Sequence, residues 1–489
     1  MKTPLVLVLA AALAASPVAA ADGPPKASAA ATLPAEATKR ATVVTHDDTL
    51  AYVVRVEAVP LSNPKGEKQA EVVVTSYTLE RTDPKDRPVT YLFNGGPGAA
   101  SAYLQFGGVG PKRLPFGGPD NAPSDLPKLV DNPDTWLAFT DLVFVDPVGT
   151  GYSRASGDGK AFWSVEGDVE SLSRVVAKHL AAREQLVSPV YLAGESYGGF
   201  RIPRIARKLQ EKDGVGVAGL VALSPVLDFA IRDGENTSPL PWVTALPSLA
   251  AAARERKAPV TRADLADVES YAAGEFLADL MKGPRDAAAV GRVSARVAEL
   301  TGLDPELVRR MNGRIDIRTF VREIGRPEGR VGSLYDANVT AYDPYPSAAR
   351  ASWDDPVLDG SMAPLTRAAV DYYGRELGFR VDNRRYELIS SEVNRAWSWG
   401  RGQSLPESAG ALREALAADR RLKVLVAHGA TDLVTPYMES KLVLDQIPAF
   451  GDPDRVRLAV YPGGHMFYSR DASRAAFTAD VRKLYGAAE

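Results

Sequence analysis

The apolar residues of this chain follow two rhythms. Near the N-terminus, "TLAYVVRVEAV" (49–59) and "AEVVVTSYTL" (70–79) read as β-runs. The intervening "PLSNPKGEKQ" carries the Pro, Asn and Gly of a hairpin loop. "VTYLF" (89–93) and "DLVFV" (141–145) are short apolar runs followed by Gly/Pro-rich loops, as strands buried on both faces are. Between 164 and 186 the rhythm changes. Val165, Val169, Leu172, Val176 and Leu180 recur at spacings of four and three, which predicts a helix with one buried face. "PVYLAG" (189–194) is strand-like again, an amphipathic segment with Ile202, Ile205 and Leu209 follows, and "LVALSP" (220–225) is another strand. Strands alternating with helices predict a parallel α/β sheet.

From 231 to 394 the alternation stops. "TRADLADVESYAAGEFLADL" (261–280) has a capping pair, Thr261 and Asp264, ahead of apolar residues at helical spacing, and 286–303 is a second helix. Strands return with "LKVLVAHG" (422–429) and "RLAVYPGG" (457–464), and a helix over 473–486 closes the chain. The expected organisation is a sheet domain in two parts, 41–230 and 395–489, interrupted by a helical insertion over 231–394.

The first residues have the form of an export signal. Lys2 precedes an apolar stretch, Leu5 to Ala15, and Ala19-Ala20-Ala21 is a small-residue cleavage site. The stretch is shorter than the roughly 20 residues of a spanning helix. Residues 1–21 are therefore read as a signal peptide, and the Ala/Pro-rich residues 22–40 as a disordered tether. The mature chain is expected in the periplasm or secreted, with no membrane anchor.

Composition narrows the chemistry. The chain has 489 residues, a net charge of -3 and no cysteine. The charge lacks the basic footprint of a nucleic-acid binder. Without cysteine there are no disulfides, thiolate metal sites or cysteine nucleophiles.

Gly194-Glu195-Ser196-Tyr197-Gly198 fits G-x-S-x-G between a predicted strand and a predicted helix. In that motif a sharp turn exposes the serine, and the helix N-terminus aims free N–H groups at developing negative charge. By itself it reads equally well as a tight turn with an inert serine. A serine hydroxyl needs an imidazole to take its proton, and the chain has four histidines. His46 and His179 read as structural or solvated, and His428 as buried support. His465, in "YPGGHMF" after the last strand, stands where parallel sheets carry functional loops. Asp432, in "HGATDLVTP", follows the preceding strand and can fix the imidazole tautomer. The order Ser196, Asp432, His465 is that of α/β-hydrolases. An oxyanion hole is expected from the N–H groups of Tyr197 and of Gly96, in the "FNGGPGAAS" loop (93–101).

Taken together, "NGGPG" (94–98), "PVGTGYS" (147–153), "GESYGG" (194–199), "HGATD" and "GGHM" resemble signatures of the serine carboxypeptidase family, the carboxypeptidase Y-like branch of the α/β-hydrolases. The resemblance spans about residues 90 to 470. It implies an exported enzyme of bacterial type with an α/β-hydrolase fold, a mostly parallel sheet with helices on both faces and a helical cap. It implies Ser196 as nucleophile, His465 as acid/base and Asp432 as its partner, acting on peptides with no metal or organic cofactor. Asn94 and Glu195 would bind the free C-terminal carboxylate, with Glu195 protonated. Three positions depart from the family. Leu92 replaces a tryptophan, Ala99 a cysteine, and Gly108 the second glutamate of the carboxylate clamp. Lys112 or Arg113 is a candidate replacement charge, against solvation at the surface. An esterase or acyltransferase using the same three residues is the alternative activity, and an inactive binding protein on the same fold is the non-enzymatic one.

Overall fold

The computed structural model describes residues 33–486, apart from 81, 84–86, 119, 235, 349–352 and 401–403. The expected signal peptide and the first part of the tether lie outside the described residues. Among the described residues the central sheet has ten strands, the short Arg154–Ala155 edging β3 and nine others forming one continuous path: β1 (Ala37–Val44), β2 (Thr49–Ser62), β3 (Lys68–Leu79), β4 (Val89–Phe93), β5 (Asp141–Val145), β6 (Val190–Glu195), β7 (Gly219–Leu223), β8 (Lys423–Gly429) and β9 (Val456–Tyr461). Their order across the sheet is β1-β2-β3-β5-β4-β6-β7-β8-β9. The first three strands are antiparallel, and β3 also meets β5 antiparallel. From β5 onward every pairing is parallel.

Two apolar cores sandwich the sheet, because successive residues of each strand point to opposite faces. Leu92, Phe144, Ala193, Val221 and Leu425 belong to one core, and Tyr91, Phe93, Val143, Leu192 and Val424 to the other. Helices α1 (Val165–Ala182) and α2 (Tyr197–Lys208) cover the second face through Val169, Leu172, Val176 and Leu180, and through Ile202 and Ile205. The Ser164 hydroxyl starts α1 by accepting the Gly167 N–H at 3.1 Å. Arg201 on α2 is wholly buried against Asp168 on α1, at 2.8 Å, and also donates to the Asn94 carbonyl at 2.6 Å. A buried charge is tolerated only when so paired, and here the pair pins the start of the loop after β4.

The structure corrects two boundaries. Residues 37–40, assigned to the tether, lie in β1 and pair with Val53 to Val56 of β2. Val43 is completely buried, so the strand is held by packing that its Ala/Thr/Lys composition does not announce. The insertion is also not one helical unit. Helices α3 (Leu240–Glu255) and α4 (Ala287–Thr301), with the helical run 266–282 between them, pack around Leu246, Phe276, Val297 and Phe320 in a core of their own. A two-stranded ribbon, Arg330–Gly332 with Thr340–Tyr342, follows. Helix α5 (Pro356–Asp371), by contrast, joins the sheet's own core through Leu365 and Ala369. Just beyond it, the Tyr372 and Tyr373 hydroxyls meet Tyr77 and Thr75 of β3. The chain is already bridged to the sheet domain at Glu387 and Ile389, before the expected boundary at 395. The closing helix, α6 (Asp471–Tyr485), packs Phe477 and Val481 into the same core as α5.

Candidate active site

The loops that follow β4, β6, β8 and β9 emerge at the carboxyl ends of parallel strands, on one edge of the sheet. Ser196 sits between β6 and α2 with φ 59° and ψ -123°, a left-handed conformation that a residue with a side chain adopts only under constraint. The constraint is close backbone packing on either side. A methyl group on Gly194 would lie 2.2 Å from the Gly198 carbonyl oxygen, and one on Gly198 would lie 2.2 Å from that of Phe93. The Ser196 N–H is tied to Leu223 of β7 at 2.8 Å. The side chain is half-buried.

Asp432 and His465 are brought together from the loops after β8 and β9. Oδ2 of Asp432 lies 2.9 Å from Nδ1 of His465, and both residues are buried. The carboxylate is held in turn: Oδ1 accepts the N–H groups of Val434 and Thr435 at 2.9 Å each, and Oδ2 accepts the Thr435 hydroxyl at 2.6 Å. Burial alone would raise the Asp432 carboxyl, but the His465 ring and these donors keep it below the usual aspartate range. Burial alone would lower the His465 imidazole, and the adjacent Asp432 instead carries it above its ordinary value. The His465 main chain is anchored at both ends. Its N–H donates to Tyr335 at 2.5 Å, and its carbonyl accepts the Ser224 hydroxyl at 2.9 Å. Segment 334–337, just after the first ribbon strand, also bonds Leu433 and Thr431, so it supports the loops of both residues.

Gly95 and Gly96 face the serine turn. A methyl on Gly95 would lie 2.6 Å from the Tyr197 nitrogen and 2.9 Å from Cβ of Ser196. Gly96 has φ +101°, and a methyl there would meet the Gly98 nitrogen at 2.7 Å. Among the described residues, the Gly96 N–H donates to no protein acceptor, and the Tyr197 N–H to none outside its own helix. The loop is braced by Ser101, whose N–H donates to Asp146 at 2.8 Å and whose hydroxyl donates to Val145 at 2.6 Å. It is covered by Ser390, which donates to the Gly98 carbonyl at 2.7 Å.

Beside the serine, Glu195 and Asn94 are both buried and bonded to each other, Asn94 Nδ2 donating to Glu195 Oε2 at 3.0 Å. The same oxygen accepts the Tyr468 hydroxyl at 2.6 Å. Burial is the main influence on Glu195 and raises its carboxyl above the usual range.

The other histidines stand apart from this cluster or support it. His46 meets Asp134 at 3.0 Å, and buried His179 meets the Tyr91 hydroxyl at 2.8 Å. His428 is buried against Ser440 at 2.8 Å and pushed down to about 4 by burial. Lys112 and Arg113 are engaged elsewhere, Lys112 with Asp131 and Arg113 with Asp471 at 3.0 Å. Trp397 is buried against Tyr197, whereas Trp399 is 40% exposed. Tyr468, Thr435, Ser224 and Tyr335 carry no motif of their own. Tyr468 lies three residues from His465, and a buried glutamate in want of a donor was the one hint that such a residue was needed.

Comparison with known proteins places this geometry in context. The serine carboxypeptidase family matches residues 75–226. Serine carboxypeptidase-like 2 of Arabidopsis thaliana is 27% identical over 187 residues, 36% of this chain and 41% of that protein. The pheromone-processing carboxypeptidase KEX1 of Yarrowia lipolytica is 35% identical over 140 residues, 28% of this chain and 21% of that protein. The chain thus spans less than half the length of these curated relatives. Among solved structures, the prohormone-processing carboxypeptidase Kex1Δp of Saccharomyces cerevisiae aligns with a TM-score of 0.56 at 16% identity, covering 89% of this chain and 91% of that one. The fold is that of the α/β-hydrolases. The family matched is the one the motifs resemble. These relatives are fungal and plant proteins and lend no support to a bacterial type.

Proposed function

We propose that this chain, which carries the serine carboxypeptidase pattern over residues 75–226, removes C-terminal residues from peptides through an acyl-enzyme on Ser196. The observation that carries the reading is the adjacency, in sequence and in space, of a strained serine and a buried carboxyl whose protonated form is favoured. The His465 imidazole takes the Ser196 proton as Oγ attacks the last peptide carbonyl, and Asp432 holds the ring and its developing charge. The N–H groups of Gly96 and Tyr197 receive the oxyanion. His465 then protonates the departing amino acid. Water, activated by the same imidazole, releases the shortened peptide. Protonated Glu195, with Asn94, donates to the substrate's terminal carboxylate, because two carboxylates in contact retain a proton above their usual range. Region 240–342, with its separate core, acts as the cap.

Residues 1–21 direct export in this reading and are removed near Ala21. Among the described residues no helix is long and apolar enough to cross a membrane. N-terminal sequencing of the mature protein recovered outside the cytoplasm tests this, and an intact Met1 would refute it.

A fluorophosphonate probe tests the nucleophile. It is expected to label Ser196 in the native protein and nothing in Ser196→Ala, which also loses peptide turnover while keeping its fold. Undiminished turnover in that variant would remove the mechanism.

A further inference from the structure

The family resemblance leaves Glu195 without the second carboxyl of its clamp, because position 108 is glycine. The structure fills that place from elsewhere in the chain. A methyl on Gly108 would sit 3.4 Å from Cδ2 of Tyr468, so the space a longer side chain would enter holds the tyrosine ring. The ring is fully buried, edge-on to Phe116 at 6.5 Å and to Phe467 at 6.0 Å. Its hydroxyl reaches Oε2 of Glu195 at 2.6 Å. Asn94 donates to that same oxygen, and Oε1 takes neither bond.

We propose that Tyr468 is the positioning residue that replaces the missing carboxyl, fixing Glu195 so that Oε1 presents a proton to the substrate's C-terminal carboxylate. This rests on the carboxypeptidase reading above. The replacement changes the chemistry. Two glutamates can share one proton, and either can carry it. A phenol is only a donor here, since burial and the adjacent Glu195 keep its own proton far above the working range. Glu195 is then the one member of the pair that titrates. A donor aimed at a carboxylate favours the ionised form. Tyr468 therefore holds Glu195 lower than burial alone would, and activity on peptide acids ends at a lower pH than an undonated Glu195 would allow. The other groups with a field at Glu195 are His465, Asp432 and the Tyr103 and Tyr335 phenols. All four remain in a Tyr468→Phe variant.

The test compares wild type, Tyr468→Phe and Glu195→Gln on an N-blocked dipeptide acid and on an N-blocked amino-acid alkyl ester, which has no terminal carboxylate. Phenylalanine keeps the ring against Gly108 and Phe116, and a thermal melt checks the fold. In Tyr468→Phe, KM for the peptide acid is expected to rise about ten-fold with kcat nearly kept. The alkaline limb of kcat/KM should move up by about one pH unit, since a lost charge-assisted hydrogen bond is worth roughly that much. Ester turnover and its profile should not change. Glu195→Gln should lose the alkaline limb, and adding Tyr468→Phe to it should move nothing further along the pH axis. Equal losses on acid and ester with an unmoved limb would make Tyr468 merely structural and overturn the proposal. So would an unaltered variant. A wild type without preference for the free acid over its amide would instead overturn the carboxypeptidase reading itself, and this proposal with it.

Discussion

Oδ2 of Asp432 stands 2.9 Å from Nδ1 of His465, with both side chains closed off from solvent and the carboxylate bound by Thr435 and two backbone N–H groups. That arrangement leaves the other ring nitrogen, Nε2, to act as the base of the proposed mechanism. Asp432→Asn should invert the tautomer preference while keeping the packing. We expect kcat to fall by ~10³–10⁴-fold with KM within a few-fold, as in other serine triads. Steady-state kinetics on an ester check this, and a loss below ten-fold would detach Asp432 from the reaction.

In the proposed mechanism the same pair sets the acid side of the pH profile. His465 must be neutral to accept the serine proton, and Asp432 raises it above its ordinary 6.5 despite burial. Activity should therefore fall as pH drops through a value above 6.5. On peptide acids the profile should also fall on the alkaline side as Glu195 ionises, whereas on esters that limb should be absent. A peptide-acid profile peaking well below pH 5 would contradict both assignments.

The oxyanion donors of the proposed mechanism are backbone groups, so they are tested through the glycines that shape them. Gly96 has φ +101°, and a methyl there would press on the Gly98 nitrogen at 2.7 Å. Gly96→Ala is expected to turn the donor away and lower kcat by roughly 10²–10³-fold, the typical effect of one lost oxyanion donor. Ser196 should still be labelled by the phosphonate probe, more slowly. Full kcat in this variant would place the second donor elsewhere.

Asp146, which braces that loop through Ser101, should make stability depend on pH. Burial pushes its carboxyl up to about 7, with the Ser101 N–H and Arg154 pulling the other way. The folded state therefore keeps a proton that the unfolded chain releases near pH 4. This contribution is complete below that pH and is lost as pH rises through about 7. Asp146→Asn removes the titration. Its unfolding free energy should gain on wild type by about 1.4 kcal/mol per pH unit across that window. Denaturant melts at pH 5 and pH 7.5 measure the difference, and a constant offset would refute it.

Much of the sheet and of the turn at Ser196 was legible because each depends on local pattern. Runs such as "DLVFV" are largely apolar since both their faces are covered, and Gly194 and Gly198 stand two residues to either side of Ser196 because a methyl at either would lie 2.2 Å from a backbone carbonyl oxygen. Strand β1 was not legible, because its partner β2 holds it and its first six residues are small or charged. Helix α5 looked like part of the insertion, since nothing in its sequence reveals that the tyrosines following it reach β3. Tyr468 shows the limit most clearly. Gly108 reads as a loss, and only the fold brings a phenol from the loop after β9 against it.

The central claim is that Glu195 and Asn94 select a free C-terminal carboxylate next to Ser196. The most direct measurement is kcat/KM on an N-blocked dipeptide and on the same dipeptide as its C-terminal amide, with products identified by mass. The account predicts release of one C-terminal residue from the acid, with the amide slower by at least ten-fold. Equal rates on the two would contradict it and leave an esterase or acyltransferase built on the same serine.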